Sequence, residues 1–324
     1  MNLSSNPIVL ITFSFVVLTM LLLDLGVFNR KSHVITNKQA IVWSVVWITL
    51  SMLFSLFIWI QTDLEKFAQF QSAYWIEKAL SVDNLFVFIL VFGYFNVPKE
   101  LHHRVLFWGI IGALFMRAIF IFSGVKLINL TYLPAFDFYG SELKINILLL
   151  LFGLFLIYAG VNSALVKDQE NEEKDFSKSF GAKLIYRFFK VSSEFDGDRF
   201  FTIRNGIKMA TPLLVVLAVI EFTDLLFAVD SIPAIFAVAP NDPLILYTSN
   251  IFAILGLRSL YFLLANFIQM FSKLKYGLAV ILTFIGLKMV VSPIIHIESI
   301  LSLAIVFGVL LLSVFWSILS KKSH

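Results

Sequence analysis

The sequence predicts an all-α polytopic membrane protein of about nine transmembrane helices, and three observations carry that prediction. Hydrophobic residues make up 59% of the 324 positions and charged residues 14%, against roughly 45–50% and about 25% in soluble domains. The apolar residues fall in blocks of about twenty rather than at amphipathic spacing, as bilayer-crossing helices require. Lysine and arginine then concentrate in every second connection between blocks, which orients the chain across the membrane.

The expected spans are 8–28, 41–60, 73–95, 105–128, 145–165, 207–232, 244–268, 276–295 and 299–319. Each is close to the ~20 residues that cross 30 Å of hydrocarbon at 1.5 Å per residue. Arg30, Lys31 and Lys38 follow the first span, Lys99 and Arg104 the third, Lys167 to Arg204 the fifth, Lys273 and Lys275 the seventh, and Lys321 and Lys322 the ninth. The other connections carry Asp63, Glu65, Asp137, Glu142, Asp242 and Glu298. The N-terminus is therefore expected outside and the C-terminus in the cytoplasm. The first apolar run has no basic segment before it, so it reads as a span and not as a cleaved signal; with no Arg-rich, Ser-rich transit pattern, a bacterial plasma (inner) membrane is favoured. The chain then divides into 1–165 (spans one to five), 166–206 (a cytoplasmic connection) and 207–324 (spans six to nine).

Taken in order, the first span contains Asp24, either an interfacial residue paired with nearby Arg30 or a residue at the mouth of a pathway. In the second span, two of Trp43, Trp47 and Trp59 are expected at headgroup depth. The third span carries Glu77, Lys78, Asp83 and Asn84. Six residues turn a helix by about 240°, so Glu77 and Asp83 do not share a face on a regular helix, whereas Glu77 and Asn84 do. Either the helix breaks there, or Glu77 lies near the outer mouth and Asp83 at mid-depth.

The stretch Glu77-Lys-Ala-Leu-Ser-Val-Asp83-Asn84 returns as Asp224-Leu-Leu-Phe-Ala-Val-Asp230-Ser231 in the sixth span, where Glu221 adds another acid. An ionised carboxylate in a membrane helix costs roughly 2.5–3.5 kcal/mol on insertion scales, so each is a functional-site hypothesis by default. Arg117 in the fourth span and Arg258 in the seventh each follow their acidic helix by one span. Tyr158-Ala-Gly-Val-Asn162 in the fifth span matches Phe284-Ile-Gly-Leu-Lys288 in the eighth. Spans 3–5 and 6–8 thus form two three-helix repeats of opposite orientation, the architecture of transporters with a site at the bilayer midplane.

Pro212 is expected to open the sixth span, and Ser231-Ile232-Pro233 to interrupt it. Such a break beside Asp230 would let carbonyl oxygens join its carboxylate as ligands. Ser249 and Asn250 could add neutral oxygens or hydrogen-bond a neighbouring helix. In the 166–206 connection an acidic run, Asp168 to Asp175, precedes a basic amphipathic segment from Lys178 to Lys190, expected on the anionic inner leaflet. Glu194, Asp196 and Asp198 alternate as a divalent ion site might require, without the full twelve-residue Ca²⁺ loop.

Oxygen-only ligands select hard cations such as Mn²⁺, Ca²⁺ and Mg²⁺. With no cysteine, disulfides, thiolate metal sites and thiol redox chemistry on this chain are excluded. His33, His102, His103, His296 and His324 fall in expected loops or at the terminus, so Zn²⁺ and Cu⁺ lack their usual ligands. Arg117, Arg258 and Lys288 would offset negative charge when no cation is bound. The bland alternative is an interhelical ion pair of Asp83 or Asp230 with either arginine; an aspartyl pair sharing a proton and a water has only the acids in its favour.

Leu23-Asp-Leu-Gly-Val-Phe-Asn-Arg-Lys-Ser-His33, Leu80-Ser-Val-Asp-Asn-Leu-Phe-Val87 and Asp224-Leu-Leu-Phe-Ala-Val-Asp-Ser-Ile-Pro-Ala-Ile-Phe236 resemble the signature stretches of the TerC/Alx family of integral membrane proteins. Asp242-Pro and Thr248-Ser-Asn-Ile-Phe-Ala-Ile-Leu-Gly-Leu-Arg-Ser-Leu-Tyr261 extend the resemblance over most of the chain. It implies tellurite-resistance-type proteins with members linked to Mn²⁺ efflux, and by motif position it marks Glu77, Asp83, Glu221, Asp224 and Asp230 as the family's acids. Asn162 departs from it where a lysine equivalent to Lys288 is expected. The resulting expectation is a non-enzymatic exporter of a hard divalent cation, most of all Mn²⁺, with protons as the counter-ion. Asp83 and Asp230 are its central ligands, and Asn84, Ser231 and Asn250 support them. The alternative is a non-transporting scaffold of a tellurium- or metal-stress complex, with other membrane or stress proteins as partners. Neither reading needs a permanently bound cofactor or a nucleic acid.

Overall fold

The computed structural model describes residues 7–28, 36–134, 136–138, 141–165, 175–204, 206–267, 274–295 and 297–321; the side chains of Asp24, Asp83 and Asp230 lie outside the described residues, as do His33, His296, His324 and Asp168 to Lys174. The protein is an all-α polytopic membrane protein. Among the described residues six helical segments are long and apolar enough to cross a membrane: α2 (Asn37–Gln61), α4 (Lys99–Leu130), α5 (Ile147–Leu165), α7 (Pro212–Phe236), the α8–α9 pair (Pro243–Leu255 and Leu257–Phe267) and α11 (Ser299–Lys321). Shorter apolar stretches lie in α1 (Pro7–Phe28) and α10 (Leu274–Val291).

The remaining expected span is α3 (Leu64–Tyr94), a single helix of 31 residues, about 46 Å long at 1.5 Å per residue. Hydropathy alone does not mark it as a span, because Glu77, Lys78 and Asp83 sit in its middle. Asp63 caps it by accepting from the Lys66 amide at 2.8 Å, so it starts nine residues before the expected 73. It does not break between Glu77 and Asp83. Both therefore occupy its central third.

Two further expectations are corrected. Residues 207–210 belong to β4 (Ile207–Ala210), which pairs antiparallel with β3 (Phe201–Arg204) around Gly206 at φ +75°. Asn205-Gly206 is a strong hairpin signal that the apolar run masks, and α7 begins only at Pro212. At its far end α7 runs through Pro233 to Phe236, and the Ala237 amide still reaches the Pro233 carbonyl at 3.3 Å. A proline in the last turn removes one backbone bond without ending the helix. The interruption lies in the seventh span instead, at Gly256 between α8 and α9.

Helix α3 packs on α7, α8 and α11, α4 packs on α7 and α8, and α5 packs on α10. The last pair approaches backbone to backbone: a Cβ on Gly286 would stand 2.6 Å from the Gly153 carbonyl oxygen and 2.8 Å from the Ile157 amide nitrogen. Of the three tryptophans of the second expected span, Trp47 is buried against Gly256. The amphipathic segment forms α6 (Phe180–Phe188), whose Gly181 rests on the Ala218 backbone of α7 while Phe180 packs at a tilt against Phe222 with ring centroids 4.9 Å apart. A short hairpin, β1 (Phe136–Phe138) with β2 (Ser141–Leu143), joins α4 to α5 at the opposite end.

Candidate functional site

Three helices bring ionic side chains to one dry point, and a fourth adds the Asn250 amide. Arg117, 1% exposed on α4, approaches Glu77 of α3 with Nη1 2.5 Å from Oε1, and Glu77 is 0% exposed. The same Nη1 donates to Asn250 Oδ1 of α8 at 2.9 Å, and Asn250 Nδ2 donates back to Glu77 Oε2 at 3.0 Å. Only this amide orientation satisfies both neighbours, because the guanidinium donates and the carboxylate accepts. Ser81 closes the ring, donating to Glu77 Oε1 at 3.2 Å. Asp224 of α7 stands 3.7 Å from Arg117 Nη2, with Asn84 beside it.

The helical spacing expected to unite Glu77 and Asn84 does so, since both are buried on the side of α3 that faces this network. Asn250 bridges Arg117 and Glu77, and so joins the network of charges itself. Among the described side chains Arg117 pairs with Glu77 and Asp224; the alternative pairing of an arginine with Asp83 or Asp230 falls on side chains outside the described residues. Glu221 lies over Gly112 of α4, where any Cβ would overlap its carboxylate. Arg258 and Asp224 line one narrow cavity walled by Phe88, Leu106, Ile220 and Leu257. Ser231 is buried. Lys288 is elsewhere, donating to Ser302 Oγ of α11 at 2.8 Å, so it does not offset the carboxylates of α3 and α7.

Lys78 was treated by the sequence as a neighbour of Glu77 with no task of its own. Its ammonium donates at 3.3 Å to the Ala253 carbonyl, one turn before the Gly256 break, and lies close to Gly256 itself. A cation there suits the carbonyl end of α8. A Cβ on Gly256 would stand 2.6 Å from Lys78 Nζ, an approach that the sequence does not announce.

Other expected features disperse. Among the described residues no group of three His, Asp or Glu side chains converges to hold a metal. Glu194 is 2.9 Å from Arg204, Asp196 accepts from Thr202 at 2.8 Å, and Asp198 pairs with Arg104, so the alternating carboxylates are spent on three separate partners and do not form a cytoplasmic cation site. His102 and His103 lie in the first turns of α4, not in a loop; His102 bridges the Val97 carbonyl and Tyr261 Oη of α9. Near the end of α3, Tyr94 donates to Asp175 at 2.6 Å, and with Ser177 it holds the Asp175 carboxyl well below the usual range.

A polytopic helical bundle with paired acids and bases at its centre is the class of protein that fold and site define: a membrane protein with a buried ionic site. The chain belongs to the Integral membrane protein TerC family, whose model matches residues 62–324. It is 44% identical over 306 residues to the uncharacterized membrane protein STKORF319 of Myxococcus xanthus, covering 94% of this chain and 90% of that one. It is 43% identical over 326 residues to a protein of Escherichia coli whose name describes a membrane-bound redox modulator, Alx, covering 97% and 95%. An uncharacterized membrane protein of Rickettsia bellii is 40% identical over 312 residues, covering 96% and 97%. No solved structure matches.

Proposed function

We propose that the chain is a plasma-membrane exporter of a hard divalent cation, Mn²⁺ before Ca²⁺ or Mg²⁺, exchanged for protons. One observation carries the reading: the charge balance of the buried helices. Segments 73–92, 106–124, 213–236 and 244–265 hold five acids, Glu77, Asp83, Glu221, Asp224 and Asp230, against three bases, Lys78, Arg117 and Arg258. The excess of two negative charges matches one divalent cation. Arg117 already serves Glu77 and Asp224, which leaves Asp83 and Asp230 as the central ligands and Glu221 beside an access path. All of these donors are oxygens, and the metal sites they favour are those of Mn²⁺, Ca²⁺ and Mg²⁺.

The packing of α3 on α7 and α8, of α4 on α7 and α8, and of α5 on α10 is what two inverted repeats would give, and it supports that arrangement. The alternating basic connections support an outside N-terminus and a cytoplasmic C-terminus. A redox role of the kind named for some relatives would, in a chain without cysteine, act through metal supply and not through thiols. The test is cellular Mn by elemental analysis after a Mn²⁺ load, in cells expressing the intact chain or Asp83→Asn/Asp230→Asn at matched membrane levels. Lower Mn with the intact chain alone is expected. Equal Mn, with Ca and Mg also unchanged, would move the weight to the scaffold reading.

A further inference from the structure

A second polar site lies at the end of the bundle where α3 and α8 begin and α7 and α10 end. It is an open cavity of about 340 Å³ lined by Glu65, Lys66, Gln69, Asn241, Asp242 and Lys288, among others. Asp242 is 5% exposed and caps α8 through Oδ1, which accepts from the Ile245 amide at 3.2 Å. Its other oxygen, Oδ2, faces the Lys66 ammonium at 2.8 Å, the distance of an ion pair, but without hydrogen-bond alignment. The ammonium also reaches Gln69 Oε1 at 3.3 Å, and Gln69 Nε2 is turned away towards Glu65 Oε1 at 3.1 Å. The Gln69 oxygen and the second Asp242 oxygen therefore converge on one positive charge carried by a flexible four-carbon stem. Lys288, the other ammonium of the cavity, is tied to Ser302.

We infer that Asp242 and Gln69 form a cation subsite in this vestibule, and that the Lys66 ammonium fills it until a hydrated divalent cation takes its place. A hard cation uses the same oxygen donors and keeps several waters, for which the open cavity has room. A lysine on a free stem competes with the ion without leaving the protein, so the subsite returns to a neutral pair after each release. The choice of a divalent cation rests on the transport reading above.

The chain contains no cysteine, so Lys66→Cys introduces a unique thiol and empties the subsite. Bound Mn²⁺ is counted by electron paramagnetic resonance on the purified full chain. Lys66→Cys is expected to gain about one Mn²⁺ per chain with the oxygen-only ligands such a site offers. Aminoethylation of the thiol, which returns an ammonium to the same place, should remove that gain, and adding Asp242→Asn should prevent it. Asn keeps the capping oxygen, so this variant tests charge and not the fold. Unchanged Mn²⁺ binding in Lys66→Cys, or a gain indifferent to aminoethylation, overturns the inference. If that variant proves unstable, the intact chain serves: Mn²⁺ should raise the acetylation rate of Lys66 several-fold relative to Lys208, and an unchanged rate overturns the inference. The readout needs no flux, so Mn²⁺ export without the extra ion retires the subsite alone, and the extra ion without export retires the exporter.

Discussion

Arg117→Met tests the central network most directly. Arg117 and Glu77 are 1% and 0% exposed, so removing the guanidinium leaves a carboxylate in a dry interior with Asn250 as its remaining polar neighbour from another helix. Breaking a buried pair from one side costs about 3–5 kcal/mol. Geometry also ranks the two acids. At an effective dielectric of 20, Coulomb attraction is about 6–7 kcal/mol at the Glu77 separation of 2.5 Å and about 4–5 at the Asp224 separation of 3.7 Å, before desolvation offsets much of both. Neutralising the closer, drier acid should therefore rescue more. Arg117→Met/Glu77→Gln is expected to be about 1–3 kcal/mol more stable than Arg117→Met, within the range of coupled neighbours, and Arg117→Met/Asp224→Asn to recover less. Denaturant titration of the purified chain in micelles, followed by tryptophan fluorescence, measures all of them. A loss under about 1 kcal/mol for Arg117→Met, or strict additivity with Glu77→Gln, would refute the reasoning.

Gly286→Ala and Gly112→Ala should separate packing from function. The first forces a Cβ onto the backbone of α5 and should cost about 1–3 kcal/mol or more, whereas the second meets only the movable Glu221 carboxylate; the same titration should show a stable fold for Gly112→Ala, with metal export reduced in cells. Lys78→Met leaves the Ala253 carbonyl without its charged donor and should cost about 1.5–3 kcal/mol, with hydrogen exchange rising first around Gly256; uniform protection would count against a local role for the Lys78–Ala253 contact. Asp175 has a depressed carboxyl value in the folded protein, so its contribution is present above the unfolded value of about 4 and is lost only as pH falls through the lower folded one. Amide exchange in 176–188 should thus be as slow at pH 4.5 as at neutrality once corrected for intrinsic rates, and Tyr94→Phe should raise it. Mn²⁺ entering liposomes that contain the chain should drive protons the other way, read with an internal pH dye; Mn²⁺ flux with no proton movement would remove protons as the counter-ion.

Most of the fold was legible because membrane helices leave a coarse signal: length and hydropathy marked six long apolar segments and the shorter apolar helices α1 and α10, with errors at the ends. Those errors have local causes. The apolar Ile207 to Ala210 reads as helix until the Asn205-Gly206 turn is given its weight. Pro233 reads as a break until its distance from the helix end is known, and Gly256 passes as an ordinary small residue until Lys78 is found against it. In the site, helical spacing placed Glu77 with Asn84 on one face. It could not supply the pairing of Arg117 with Glu77, or the place of Asn250 between them, because those depend on how α4 and α8 rotate about their axes as they pack on α3. The divergence of Glu194, Asp196 and Asp198 was hidden for the same reason: their basic partners include Arg104, 94 residues distant from Asp198.

Arg117 and Lys66 show one chemical device at two depths. Each places a tethered cation between a carboxylate and an amide oxygen: Arg117 between Glu77 and Asn250, Lys66 between Asp242 and Gln69. The two differ in how firmly the cation is held. Arg117 is forked, buried and hydrogen-bonded on two sides, so exchanging it for a free ion would strand a charge in hydrocarbon at a cost of several kcal/mol. Lys66 is a point charge on a flexible stem in an open cavity, where hydration would compensate it when it leaves. The guanidinium is thus suited to stay between the two flanking acids, where its single positive charge offsets one of their two negative charges. The ammonium is suited to yield. A cation released from the centre would meet, in the vestibule, a carboxylate whose existing partner is easily displaced and quickly returned, and that asymmetry favours exit over re-entry once the ion is hydrated.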